Sequence, residues 1–125
     1  MGSKYLYVFD MDGTLSSAGG PVTAQQVRYL RTPWGILSSR NQLRSIEACT
    51  QMGLVLAPYC QFIETCRVNM RAEELRMLRE KYPGFARYIY VADRERDKAE
   101  AELTGWRFVY AKDFEAFLKE VDYGS

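Results

Sequence analysis

Histidine is absent from the 125 residues. That absence excludes Ser-His-Asp and Cys-His catalysis, HExxH metal sites and every histidine general base. Cysteine is sparse. Cys49, Cys60 and Cys66 form an odd, scattered set with neither a CxxC pair nor a zinc spacing. They predict reduced, mostly buried thiols and a cytoplasmic location. No run is long and apolar enough to span a membrane, and no secretory leader is expected ahead of the first strand. An excess of one charge is lacking too. Seventeen basic and 16 acidic residues leave a net charge of +1. Nucleic-acid binding by bulk charge is not indicated, while a local basic patch stays open. Repeats, low-complexity tracts and linkers are also missing.

What is present is ordinary globular composition, 47% hydrophobic and 26% charged, in a length that fits one domain. Strand-like and helix-like segments alternate. Tyr5 to Phe9, Trp34 to Leu37, Tyr88 to Ala92 and Trp106 to Tyr110 are short apolar runs that read as strands, and a weaker one is expected around Gln61 to Ile63. Helices are expected after Thr23 as N-cap and over Asn41 to Met52, Ala72 to Tyr82, Arg94 to Leu103 and Phe114 to Val121. In the second of these, Leu43, Ile46 and Cys49 fall at helical spacing. This alternation predicts an α/β fold with a mostly parallel central sheet flanked by helices. In open parallel sheets, sites form beyond the carboxyl ends of the strands.

Three predicted strand ends carry chemistry. The first is followed by Asp10-Met11-Asp12-Gly13-Thr14, the second by Ser38, Ser39 and Arg40, and the Tyr88 strand by Asp93 and then Asp97. Carboxylates converging on one spot repel unless a cation lies among them. Oxygen-only ligands favour a hard cation such as Mg²⁺. Taken alone, Asp12-Gly13-Thr14 reads as a polar turn, and the hydroxyl of Ser38 as a strand-end group. An EF-hand is excluded, because Leu15 and Pro21 stand where Gly and Glu are required. The tyrosines Tyr5, Tyr7, Tyr88 and Tyr90 read as sheet-face or core residues.

Together these segments resemble the haloacid dehalogenase superfamily in its phosphatase branch. Phe9 to Leu15 resembles the first motif, Ile36-Leu37-Ser38 the second and Val91 to Asp97 the fourth. The resemblance runs in order from residue 5 to about 110 and implies a three-layer Rossmann-like fold. It implies Asp10 as nucleophile and Asp12 as general acid and then base. Gly13 would permit the tight turn, and Ser38 would bind a phosphoryl oxygen, with Thr14 and Ser39 beside it. Mg²⁺ would be held by Asp10, the Asp12 backbone carbonyl, Asp93 and Asp97. An acid at position 12 favours phosphoryl transfer over carbon–halogen cleavage. The third motif calls for a Lys or Arg. Arg67, Arg71 and Lys81 are the candidates, and Arg71 best fits the position. Ala92 and Ser39 stand where many relatives have Gly.

The intervals between motifs leave no space for a cap domain, so a capless site is expected, with Leu15 to Val22 as a short flap. An open site implies a phosphorylated substrate large enough to close it, or a covering partner. The Asp93-Arg94 pair and compact layout resemble the phosphatase half of polynucleotide kinase-phosphatases, which implies a nucleotide or nucleic-acid 3′-phosphate among the substrates. A binding or regulatory module and a lasting phosphoacceptor are the two competing readings.

Overall fold

The computed structural model describes residues 5–124 and the side chains of residues 5–121. Five strands form one parallel sheet: β1 (Tyr5–Asp10), β2 (Trp34–Ser38), β3 (Cys60–Thr65), β4 (Arg87–Ala92) and β5 (Arg107–Tyr110). Five helices connect or follow them: α1 (Ala24–Arg28), α2 (Gln42–Gln51), α3 (Arg71–Lys81), α4 (Glu95–Leu103) and α5 (Phe114–Gly124). Among the described residues, nothing outside these elements exceeds loops and short 3-10 turns, so no cap domain is inserted.

The strand order is β3-β2-β1-β4-β5. The chain builds outward from β1 to β3, then crosses back through α3 to place β4 on the other side of β1. The order therefore reverses between β1 and β4. The diverging connections leave a crevice there at the carboxyl edge.

Strand β1 explains itself by parity. Side chains alternate between faces with a period of two. Tyr7 and Phe9 point into one apolar cluster with Val27, Cys49, Phe114 and Phe117. Leu6 and Val8 point into the other with Leu75, Leu78, Ala101 and Trp106. Both faces are buried, which is why the strand reads as a continuous apolar run. Helices α1, α2 and α5 cover the first face, and α3 and α4 the second. These are the three layers of a Rossmann-like α/β fold.

Two segments named from the sequence take a definite arrangement in the fold. Helix α2 does not turn Leu43 and Ile46 inward; they are 67% and 38% exposed. Ser45 and Cys49, four residues apart, face the sheet instead. The Ser45 hydroxyl can be buried because it donates to the Asn41 carbonyl at 2.9 Å within its own helix. The Leu15 to Val22 segment is exposed at Ser16, Ser17, Gly19 and Pro21 but tied down at both ends. Leu15 and Val22 are buried and bridge each other, with the Ser16 N–H on the Val22 carbonyl at 2.7 Å. Its apolar ends anchor it into the core beside β1.

Candidate active site

Continuing the parity of β1, Asp10 follows Leu6 and Val8 onto the α3/α4 face. Register places Phe9 opposite Val91 on β4 and Asp10 opposite Leu37 on β2. Tyr90 sits on that same face of β4, among Leu6, Val8 and Ala92. Arg71 opens α3, and Asp97 lies in the first turn of α4. One face of the sheet and two helix starts thus bring four polar side chains to one buried point.

The guanidinium of Arg71 organises them. Its Nη1 donates to Asp10 Oδ1 at 3.1 Å and also to the Tyr90 hydroxyl. Its Nε lies 3.7 Å from Asp97 Oδ1. Arg71, Asp10 and Asp97 are each buried. A cation in the first turn of a helix opposes the helix dipole, so Arg71 is placed for its partners rather than for α3. The other two third-motif candidates lie elsewhere: Arg67 is exposed, and Lys81 pairs with Glu64 on the surface at 2.7 Å.

Asp93 follows β4 directly and is exposed. One carboxylate oxygen each from Asp10, Asp93 and Asp97 lie within 4.8 Å of one another. Gly13 is the seat for Asp93. It has φ +76°, and a Cβ there would lie 2.0 Å from Asp93 Oδ2. Only glycine lets the β1 loop turn left-handed and Asp93 settle over it.

The electrostatics match this crowding. Burial pushes the Asp10 carboxyl from an ordinary 3.8 up to about 6; Arg71 opposes the rise, while Asp97 and Asp93 add to it. Burial also raises Asp97, against the pull of Arg71 and Arg94. Burial holds the Tyr90 hydroxyl well above its ordinary range, so it stays neutral. The buried Asp97 Oδ2 has no hydrogen-bond partner among the described residues. A buried carboxylate oxygen without a partner is costly. Three converging acids with one such oxygen form a donor set that fits a hard divalent cation.

The remaining predicted residues line the rim or its walls. Ser38 is buried at the end of β2, and its Oγ accepts the Arg40 N–H at 3.0 Å, leaving its own proton free to donate to an anion. Ser39 is exposed, whereas Thr14 is fully buried and contributes through its backbone, which closes the Met11 to Val22 loop. Asp12 stands apart from the three clustered acids. Its carboxylate is 43% exposed and is gripped by Arg40: Nη2 to Oδ1 at 2.6 Å, Nε to Oδ1 at 3.1 Å and to Oδ2 at 3.3 Å. On the β5 side, Gly13, Pro21, Asp93, Tyr110, Ala111 and Lys112 line a cavity of about 270 Å³.

Sequence reasoning did not assign a role to Tyr90 or Arg40. The signal for Tyr90 was parity with Asp10, hidden because its ring belongs to the core. Arg40 lies two residues beyond Ser38 at a strand end.

Comparison with protein-family models, curated proteins and solved structures gives no match.

Proposed function

We propose that this chain is a phosphomonoesterase of the haloacid dehalogenase type, dependent on Mg²⁺ and acting through Asp10. The observation that carries this reading is Asp10 itself. A buried carboxylate at the end of the central strand is held by a buried arginine, with two further acids within 4.8 Å. No packing need accounts for four charged groups at one crevice. Perturbed, clustered titratable groups at a topological switch point are what an active site requires.

Asp10, Asp93 and Asp97 would hold the metal ion. When bound, Mg²⁺ neutralises charge between an anionic nucleophile and an anionic substrate. The chain's own residues do the rest. Arg71 fixes Asp10 Oδ1, orients the carboxylate and supplies positive charge beside the phosphoryl group. The Ser38 hydroxyl donates to a phosphoryl oxygen. An Asp10 oxygen forms a bond to phosphorus as the bond to the leaving oxygen breaks, and the Asp12 carboxyl gives that oxygen its proton. Asp12 then takes a proton from the water that cleaves the aspartyl-phosphate, releasing phosphate and restoring Asp10. The rim is open and uncapped, which suits a phosphate displayed on a large molecule; a nucleic-acid end is one such substrate. Among the described residues no helix is long and apolar enough to cross a membrane.

The Asp12–Arg40 ion pair favours one second reading. If Arg40 keeps Asp12 engaged throughout, phospho-Asp10 would persist and the protein would act as a phosphoacceptor. Phosphate release from an aryl phosphate, with Mg²⁺ against EDTA and intact protein against Asp10→Asn, tests the first reading. Metal-dependent release lost in the variant is expected. Release that survives Asp10→Asn removes Asp10 as nucleophile. A stoichiometric phospho-protein that does not turn over selects the phosphoacceptor.

A further inference from the structure

The carboxyl edge of the sheet carries a regularity that the catalytic reading does not use. The residue two beyond the last of each strand is Arg40 after β2, Arg67 after β3, Arg94 after β4 and Lys112 after β5. Only β1 differs, with Asp12. Basic residues fill 17 of 125 positions, so among five such sites about one in seven, fewer than one residue, is expected. Four occur. Because the strands are all parallel, these side chains start from one edge. At about 4.8 Å per strand the row spans roughly 19 Å, with Asp12 at its middle. Arg67, Arg94 and Lys112 are exposed and form no ion pair among the described residues. Lys112 also lines the cavity beside Asp93.

Arg40 is the member that has found an anion. It reaches from the β2 end to the one acid in the row and grips it with two nitrogens. Its backbone N–H is tied to Ser38 Oγ, which fixes the start of its side chain beside the phosphoryl-binding hydroxyl. The two partners are 33% and 43% exposed. Half-exposed pairs of this kind are weak and exchangeable. A second phosphate or carboxylate arriving at this cationic edge competes with Asp12 for the same guanidinium fork.

Resting on the phosphatase reading above, we propose that Arg40 reads the substrate. A second anionic group, on the leaving moiety of the phosphomonoester, takes the guanidinium from Asp12 and so releases the Asp12 carboxyl to face the phosphoryl group. The substrate class is a phosphomonoester whose leaving group carries a further negative charge. Esters with a neutral leaving group bind but leave Asp12 engaged by Arg40.

Three substrates test this: phenyl phosphate, 4-carboxyphenyl phosphate and a nucleoside 3′,5′-bisphosphate. The first two differ only by a carboxylate, and the third separates a phosphate source of the second charge from a carboxylate source. The intact protein is expected to show a kcat/KM at least about tenfold higher for a charged ester than for phenyl phosphate. Arg40→Gln is expected to bring that ratio close to one, and Arg40→Lys to keep part of it. A ratio unchanged in Arg40→Gln, or near one in the intact protein, overturns the proposal. Binding provides a readout independent of turnover. In Asp10→Asn with Mg²⁺, calorimetry is expected to show the charged esters binding more tightly than phenyl phosphate, a difference erased by adding Arg40→Gln. In the same protein, the ¹³C signal of the Asp12 carboxyl is expected to move with the charged ester and stay in place with phenyl phosphate. Equal binding and an unmoved signal overturn the exchange. A charge preference in binding without turnover of any ester counts against the phosphatase reading and for Arg40.

Discussion

Replacing Asp10 by asparagine is expected to make the metal-free protein more stable. The Asp10 carboxyl rises from 3.8 to about 6, chiefly by burial. At about 1.36 kcal/mol per pH unit, the ionised form costs the folded state about 3 kcal/mol at neutral pH. The sign follows from proton binding. Between pH 4 and 6 the folded protein holds a proton on Asp10 that the unfolded chain has released. Stability therefore falls as pH rises through that window, and the loss is complete above it. Asparagine has nearly the same shape, carries no charge and still offers Arg71 an oxygen to accept its N–H. The variant recovers up to about 3 kcal/mol at pH 7.5, a rise in Tm of about 10 °C for a chain of this length. Mg²⁺ complicates this in an informative way. An ion that binds only the folded state would raise the Tm of the intact protein, and by less in the variant, which lacks one of the three proposed ligands. Thermal melts of both proteins in EDTA and in excess Mg²⁺, at pH 4.5 and 7.5, give all the comparisons. An Asp10→Asn protein that melts at or below the intact protein in EDTA at pH 7.5 would refute the claim that this carboxylate is held at a cost to stability.

Other substitutions follow from the same geometry. Arg71→Gln leaves Asp10 and Asp97 buried without their cation, so a loss of about 3–5 kcal/mol is expected, measured by urea denaturation at pH 7.5. Gly13→Ala places a methyl group against Asp93 Oδ2 at a left-handed turn. Its Mg²⁺ affinity, read by calorimetry, is expected to drop at least tenfold, consistent with the loss of a well-placed ligand. If Asp10 is the proposed nucleophile it must be ionised to attack, and activity at limiting Mg²⁺ is then expected to fall as pH drops below about 6. Raising Mg²⁺ is expected to push that limb to lower pH, and a limb insensitive to Mg²⁺ would separate it from Asp10.

The fold was legible wherever a segment's two faces were both buried. Strands β1, β2 and β4 lie in the middle of the sheet, so their residues form unbroken apolar runs whose ends stand out. The edge strand β3 was faint because only Phe62 is buried along it and Pro58 lies just before it. The inner face of helix α2 was not legible, because spacing cannot show that a serine, satisfied by its own helix, lies inside while Leu43 lies out. At the site, the acids were legible by their places after strands, and Arg71 only through the family resemblance, which calls for a cation near the start of the helix before β4. Its partnership with Tyr90 was not, since a tyrosine in an apolar run declares its ring and conceals its hydroxyl. The Arg40 grip on Asp12 depends on the β1 and β2 ends being neighbours at one level, which strand order decides and local sequence does not.

An Asp10 carboxylate oxygen is the proposed nucleophile at phosphorus. The most direct measurement is acid quenching of the protein during turnover of a phosphate ester with Mg²⁺, followed by mass spectrometry of its peptides. A phosphoryl group on the peptide containing Asp10, absent in Asp10→Asn and chased away as substrate runs out, is the predicted result. Phosphate released with no phosphorylated peptide, or with the phosphoryl group on another residue, would contradict it.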